Sequence, residues 1–210
     1  MNKLMIFSVA VSMIVTTSIY LFANNGDKPI LSPNHLDKEK MKVEIWSNMI
    51  CSWCYLGKHR LENALERFEH SEEVEVVFKS YQLDPNMVTK PDLTISEYLP
   101  QGKGVSLEQA EGMNIRMEQL AVEAGLEYNL DNIIPLNTKQ PHGFLHFANS
   151  KGKQVEMKER LMKAYFIKNL NRDDQNLQTK LAQELGLNKQ DVETTLNNKI
   201  YVVDVQQDAR

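Results

Sequence analysis

The feature that most limits this chain is Cys51-Ser52-Trp53-Cys54, which stands where a strand pattern ends and a helical one begins. Before it, Lys42-Val43-Glu44-Ile45-Trp46 alternates polar with apolar residues, the period of a half-buried strand. After it, Leu61, Ala64, Leu65 and Phe68 recur at i, i+3, i+4 and i+7, which predicts a helix with that stripe toward the core. Val74 to Tyr81 is rich in β-branched and aromatic residues and predicts a second strand. Two strands flanking one helix make a βαβ unit, and its strands are most simply parallel.

That position gives the cysteines a chemistry. The first turn of a helix carries unsatisfied backbone N–H groups and the positive end of the macrodipole. A thiolate there is stabilised, and its pKa falls from about 8.5 toward roughly 3.5–7.5. Cys51, the first of the pair, is expected to be the exposed nucleophile. Cys54, one turn along and more buried, is expected to resolve a mixed disulfide by attacking Cys51. Trp53 offers an apolar face to a substrate chain. A metal reading sets Cys51, Cys54 and His59 as the first three ligands of a zinc knuckle, but the fourth position falls on Ala64 and no second CxxC follows. A third reading makes the pair buried structural thiols. A CxxC in a βαβ context favours redox chemistry.

The chain has only these two cysteines, so it is not a disulfide-stapled scaffold. Its net charge is −4 with no basic stripe, which argues against a nucleic-acid partner. From Pro85 onward the pattern turns helical. Ser106 and Gln109 form a capping box ahead of Ala110, Met113, Met117, Leu120, Ala121 and Ala124, and that helix stops at Gly125. Further helices are predicted over Gln140 to Asn149 and Gln154 to Lys168. Another carries Leu177, Leu181, Ala182 and Leu185 and ends at Gly186. A last short one is capped by Asn188. Met113 and Met117 read as core rather than copper ligands. Glu44 reads as a solvated strand residue, or as a proton relay near the pair. His35 and His70 have no assigned role, and Glu62, Glu66 and Glu69 read as a solvated helix face.

The first forty residues differ in kind. Lys3 followed by the apolar run Leu4 to Ala23 reads as a secretory signal or an uncleaved N-terminal membrane anchor. Asn24 to Lys40 reads as a flexible linker. An exported or membrane-anchored, extracytoplasmic protein is the favoured expectation. A start at Met41 would instead give a cytoplasmic one.

From Met41 onward the chain resembles the DsbA family of thioredoxin-like proteins, within it the FrnE-like branch. The resemblance rests on Val43-Glu44-Ile45-Trp46-Ser47, Cys51 through Lys58, Phe78 through Pro85, Asn137-Thr138, His142, and Met157 through Phe166. The branch usually has proline where Ser52 stands, which leaves the dithiol intact and alters its redox tuning. The resemblance implies an α/β thioredoxin-like fold with a large all-helical insertion, at about 86–199. It implies exchange with protein or small-molecule thiols and disulfides, with no cofactor and no metal. It also implies that Asn137 and His142 lie near the active-site face as substrate-groove residues; a capping or surface histidine is the plainer reading of His142. Such proteins carry a late Gly-Val-Pro segment with a cis proline facing the CxxC, then two strands and a helix. None of the seven prolines fills that role here, so the final strands and helix are expected to be missing. Two strands do not make a stable sheet alone, and the expectation is a chain that folds poorly with little activity. Two function classes follow: a dithiol oxidoreductase, or a thioredoxin-like binding or chaperone module whose CxxC is not turned over.

Overall fold

The computed structural model describes residues 40–208 apart from 103 and 172–173. The residues read as a signal or anchor, and nearly all of those read as a linker, lie outside the described residues. Among the described residues no helix is long and apolar enough to cross a membrane.

Strand β1 (Met41–Ser47) leads through Asn48 to Cys51 into helix α1 (Ser52–Leu65). A 3-10 turn at Ser71–Glu73 then feeds strand β2 (Val74–Ser80). The two strands pair in parallel, with Met41 opposite Val74 and Ser47 opposite Ser80. The βαβ unit thus has the predicted order and direction. In β1 the alternation turns Val43, Ile45 and Ser47 inward and leaves Glu44 and Trp46 exposed.

The α1 stripe is corrected. Ala64 and Phe68 are exposed and Leu61 and Leu65 only half-buried, while the buried face carries Tyr55, Leu56 and Lys58. The helix enters the core with its first two turns and leaves it with its last. An apolar period counted from Leu61 therefore samples the end that faces out.

Helices α2 (Ile95–Gly102), α3 (Leu107–Glu123), α4 (Lys139–Ser150), α5 (Gln154–Phe166), α6 (Gln175–Gln183), α7 (Lys189–Asn198) and α8 (Val202–Asp208) follow. The Ser106–Gln109 capping box is present in full. Asn188 caps α7 through the Gln190 and Asp191 backbone N–H groups. The turns after α3 and α6 place Gly125 and Gly186 at φ +79° and +75°, where a side chain is strained. Sequence periodicity misses α2, which carries Pro100 in its interior, and α8, whose Val202-Val203-Asp204-Val205 is strand-like in composition.

One core joins the helices to the redox unit. Tyr55 and Leu56 of α1 cluster with Met117, Phe144, Leu161, Tyr165, Phe166 and Leu196, all nearly inaccessible. The described residues from Lys40 onward belong to one compact unit. Burial on this scale, at about 25 cal/mol per Å² of apolar surface, is what holds the helices to the βαβ unit.

Among the described residues the sheet has two strands and no peptide bond is cis. The edge of β2 away from β1 is not bare, however. The Gln154 side chain accepts from Phe78 N–H and donates to Phe78 C=O, both at 2.9 Å. Asp208 accepts from Ser80 N–H at 2.8 Å. His146 and Lys79 pair with the same Asp208 carboxylate at 3.0 and 3.3 Å. Side chains of α5 and α8 thus take hydrogen bonds that a third strand would supply.

Candidate active site

Cys51 is the N-cap of α1, in extended conformation at φ −94°, ψ 111°. Its carbonyl accepts from Cys54 N–H at 3.0 Å and Tyr55 N–H at 3.2 Å. No side chain caps this helix and no acid stands in its first turn. The sulfur therefore meets the positive helix end without a competing anion. Cys51 and Cys54 are free, partly buried thiols, and the pair stands near 3.2 Å.

At that separation one sulfur holds the other's proton. Cys54 is pushed down to about 6, first by the hydrogen bond from Cys51, against the cost of burial. The Asn48 backbone, the Ser47 hydroxyl and the Lys158 charge lower it further. Cys51 is pushed up, first because it donates to Cys54 and then by burial, while the Cys54 and Trp53 backbone N–H groups pull it down. In this arrangement one proton is shared between the two sulfurs. The two titrate as one system, with a first ionisation below the ordinary thiol range. Access separates them. Cys51 lines an open cleft, whereas Cys54 packs against the hydrophobic core.

That cleft has a volume of about 370 Å³. Cys51, Ser52 and Trp53 form one wall, and residues such as Tyr98, Met113 and Leu136 line the rest. Trp53 is 58% exposed, so its ring is free to meet a substrate. Met113, expected in the core, is 56% exposed and faces this cleft. Tyr128 ties the motif to the helical segment by donating to Ser52 C=O at 2.8 Å. Burial, and then the charge at Cys51, push its phenol above the ordinary range.

Asn137 and His142 stand elsewhere. Asn137 ties down a loop: its amide donates to Met87 C=O at 2.6 Å and its backbone N–H to Thr89 Oγ1 at 3.1 Å. It lines a separate cavity of about 220 Å³ beside α4 and α7. Its neighbour Thr138 is the residue that reaches the cleft. His142 is buried inside the α4 face and lines neither cavity. Glu44 pairs with Lys42 and Lys79 at 3.1 and 3.7 Å on the outer face of the sheet, away from a relay position.

His59 points to Glu159, not to the cysteines. Glu159 accepts from Tyr55 Oη at 2.7 Å, Lys58 Nζ at 2.5 Å and His59 Nε2 at 3.2 Å. Burial works against the carboxylate, but His59, Lys58 and Tyr55 together hold it down to about 2. His59, Glu62 and Glu159 come close enough to share a cation; among the described residues neither cysteine belongs to such a group. Lys58 pairs with both acids of that group, so its ammonium already supplies their positive charge.

The DSBA-like thioredoxin domain model matches residues 42–210. The chain belongs to this family. It is 28% identical over 170 residues to the uncharacterized protein YwbO of Bacillus subtilis (strain 168), covering 80% of this chain and 76% of that protein. A probable DsbA oxidoreductase from Streptomyces coelicolor superposes with a TM-score of 0.75 at 31% identity, covering 81% of this chain and 74% of that one. The cytosolic disulfide reductase DsbM of Pseudomonas aeruginosa, solved with GSH, shares the fold at a TM-score of 0.53 and 14% identity, over 80% and 78% of the two chains. DsbA-family membership puts the chain among thiol–disulfide oxidoreductases and related enzymes, which act on protein thiols and disulfides.

Proposed function

We propose that this chain catalyses dithiol–disulfide exchange through Cys51 and Cys54. The observation that carries the reading is the free thiol pair at an uncapped helix N-terminus, with Cys51 open to an apolar cleft and Cys54 behind it. In the reducing direction the Cys51 thiolate attacks one sulfur of a substrate disulfide, and the other substrate sulfur leaves as a thiolate. Cys54, deprotonated, then attacks Cys51 Sγ. The bond to substrate breaks, the second substrate thiolate leaves and is protonated, and the protein pair closes with loss of two electrons. The oxidising direction runs these steps backwards. Trp53 gives the chain flanking the substrate sulfur an apolar surface.

The test is a redox titration against glutathione, read by the fluorescence of Trp46 and Trp53. A reversible two-electron transition supports the reading. A midpoint well above about −200 mV marks an oxidant or isomerase, and one near about −270 mV a reductase. No transition from a folded chain leaves the binding-module reading instead. Export or membrane anchoring through Leu4 to Ala23 is part of the same proposal and favours the oxidising role. Cell fractionation tests it, and recovery in the cytoplasm would support the start at Met41.

A further inference from the structure

Lys158 is wholly inaccessible, in the middle of the face of α5 that buries Met157, Leu161, Met162 and Tyr165. A lysine is rarely found so deep, because an ammonium loses its hydration there. Its Nζ lies 3.6 Å from Met49 Sδ and 4.7 Å from the centre of the Phe78 ring. Met49 is itself inaccessible and stands two residues before Cys51. Phe78 belongs to β2, the strand paired with the one that delivers the motif. The ammonium is therefore held beneath the loop that carries the dithiol. Its neighbour Glu159 turns the other way, to Tyr55, Lys58 and His59.

We infer that Lys158 is a positioning residue for the dithiol, its buried ammonium favouring the thiolate of Cys54 in the step that closes the protein disulfide. This rests on the exchange reading above. The titratable groups whose charges bear on the pair are Tyr128, from the segment before α4, and Lys158 of α5; Tyr55, Lys58 and His59 of α1 turn to Glu159 instead. Lys58 and His59 are engaged with Glu159, and both phenols are pushed above their ordinary range. The charge of Lys158 bears on Cys54 and draws it toward the thiolate. In the closing step Cys54–SH gives up its proton, the thiolate forms the bond to Cys51 Sγ, and the substrate sulfur departs with the electron pair and is protonated. A fixed cation favours the anion before that step and gains nothing from the neutral disulfide after it. Lys158 thus speeds resolution and makes the disulfide more oxidising.

Lys158→Met keeps the length and apolar stem and removes the charge; Lys158→Arg restores charge. In Lys158→Met the equilibrium constant for reduction by glutathione is expected to fall about tenfold, a midpoint about 30 mV more negative, with the melting temperature unchanged or higher. Lys158→Arg is expected to recover most of the shift. The difference between Lys158→Met and the parent narrows as pH falls below about 6, where the pair takes up its second proton. A midpoint and thiolate absorbance unchanged by Lys158→Met overturn the inference and leave the exchange reading standing. No reversible transition in the parent overturns both. A measurement with Lys158 intact guards against variants that fail to fold. In Cys51→Ser, Cys54 absorbance at 240 nm should titrate below the ordinary thiol value of about 8.5, and titration at or above it overturns the inference.

Discussion

Replacing Glu159 with glutamine tests how the helical segment is fastened to the redox helix. Glu159 of α5 receives three donors from α1, and its carboxyl is held at about 2 in place of the ordinary 4.5. The group is charged when folded at pH values where the unfolded chain protonates it. Its folded pKa is the lower one, so the stabilisation is present above about 4.5 and is lost as pH falls from there toward about 2. At about 1.4 kcal/mol per factor of ten in proton affinity, the full linkage is about 3 kcal/mol. The side chain is 32% exposed, and solvent screening brings this to about 1.5 kcal/mol. For a domain of this size that is a fall of about 3–6 °C in melting temperature. Urea or thermal melts of the parent and of Glu159→Gln between pH 7 and 2.5 read it directly. The variant is expected to be less stable at pH 7, with the gap closing in acid. A gap that stays constant over the range would mean that Glu159 contributes packing alone.

In the parent, alkylation of the pair by iodoacetamide should rise through an inflection near pH 6 as the first thiolate forms, and a single inflection above pH 8 would refute the shared-proton geometry. Cys51→Ser should abolish turnover, whereas Cys54→Ser should accumulate a mixed disulfide visible by mass spectrometry; turnover by Cys54→Ser would exclude it as the resolving thiol. Gln154→Ala removes both side-chain hydrogen bonds to Phe78 and should cost about 2 kcal/mol, with faster exchange of the Phe78 amide in particular. Gly125→Ala meets no atom within 4 Å but forces a methyl group into φ +79°, at about 1–2 kcal/mol; unchanged urea midpoints would show that the turn relaxes.

The βαβ unit was legible because each piece has its own local signal: alternation in Lys42 to Trp46, β-branched residues in Val74 to Tyr81, and the cysteines between them. The caps at Ser106 and Asn188 were legible for the same reason, since a cap is a contact within three residues. What sequence reasoning missed depends on long-range contacts. Tyr128 reaches Ser52 across 76 positions and Tyr55 reaches Glu159 across 104. Lys158 left a trace that could have been used. It lies three and four residues before Leu161 and Met162, on the stripe that α5 buries, so the helical period already turned it inward. The reading of Asn137 and His142 as groove residues came from resemblance, with no local signal to orient either side chain.

The expectation of poor folding treats the helical segment as an addition to the sheet. The contacts argue for a different division of labour. An edge strand exposes backbone N–H and C=O groups that must find partners. On β2 those partners come from Gln154 at the start of α5 and Asp208 at the end of α8. The next turns of α5 place Lys158 under Met49, Glu159 against α1, and Tyr165 and Phe166 in the core, with Phe166 stacked on Tyr55 and Tyr128. One helix thus closes the sheet edge, holds the redox helix and charges the floor of the dithiol. A change on α5 that loosens its seat should therefore lower stability and alter thiol reactivity together, whereas loss of the Lys158 charge alone should separate the two.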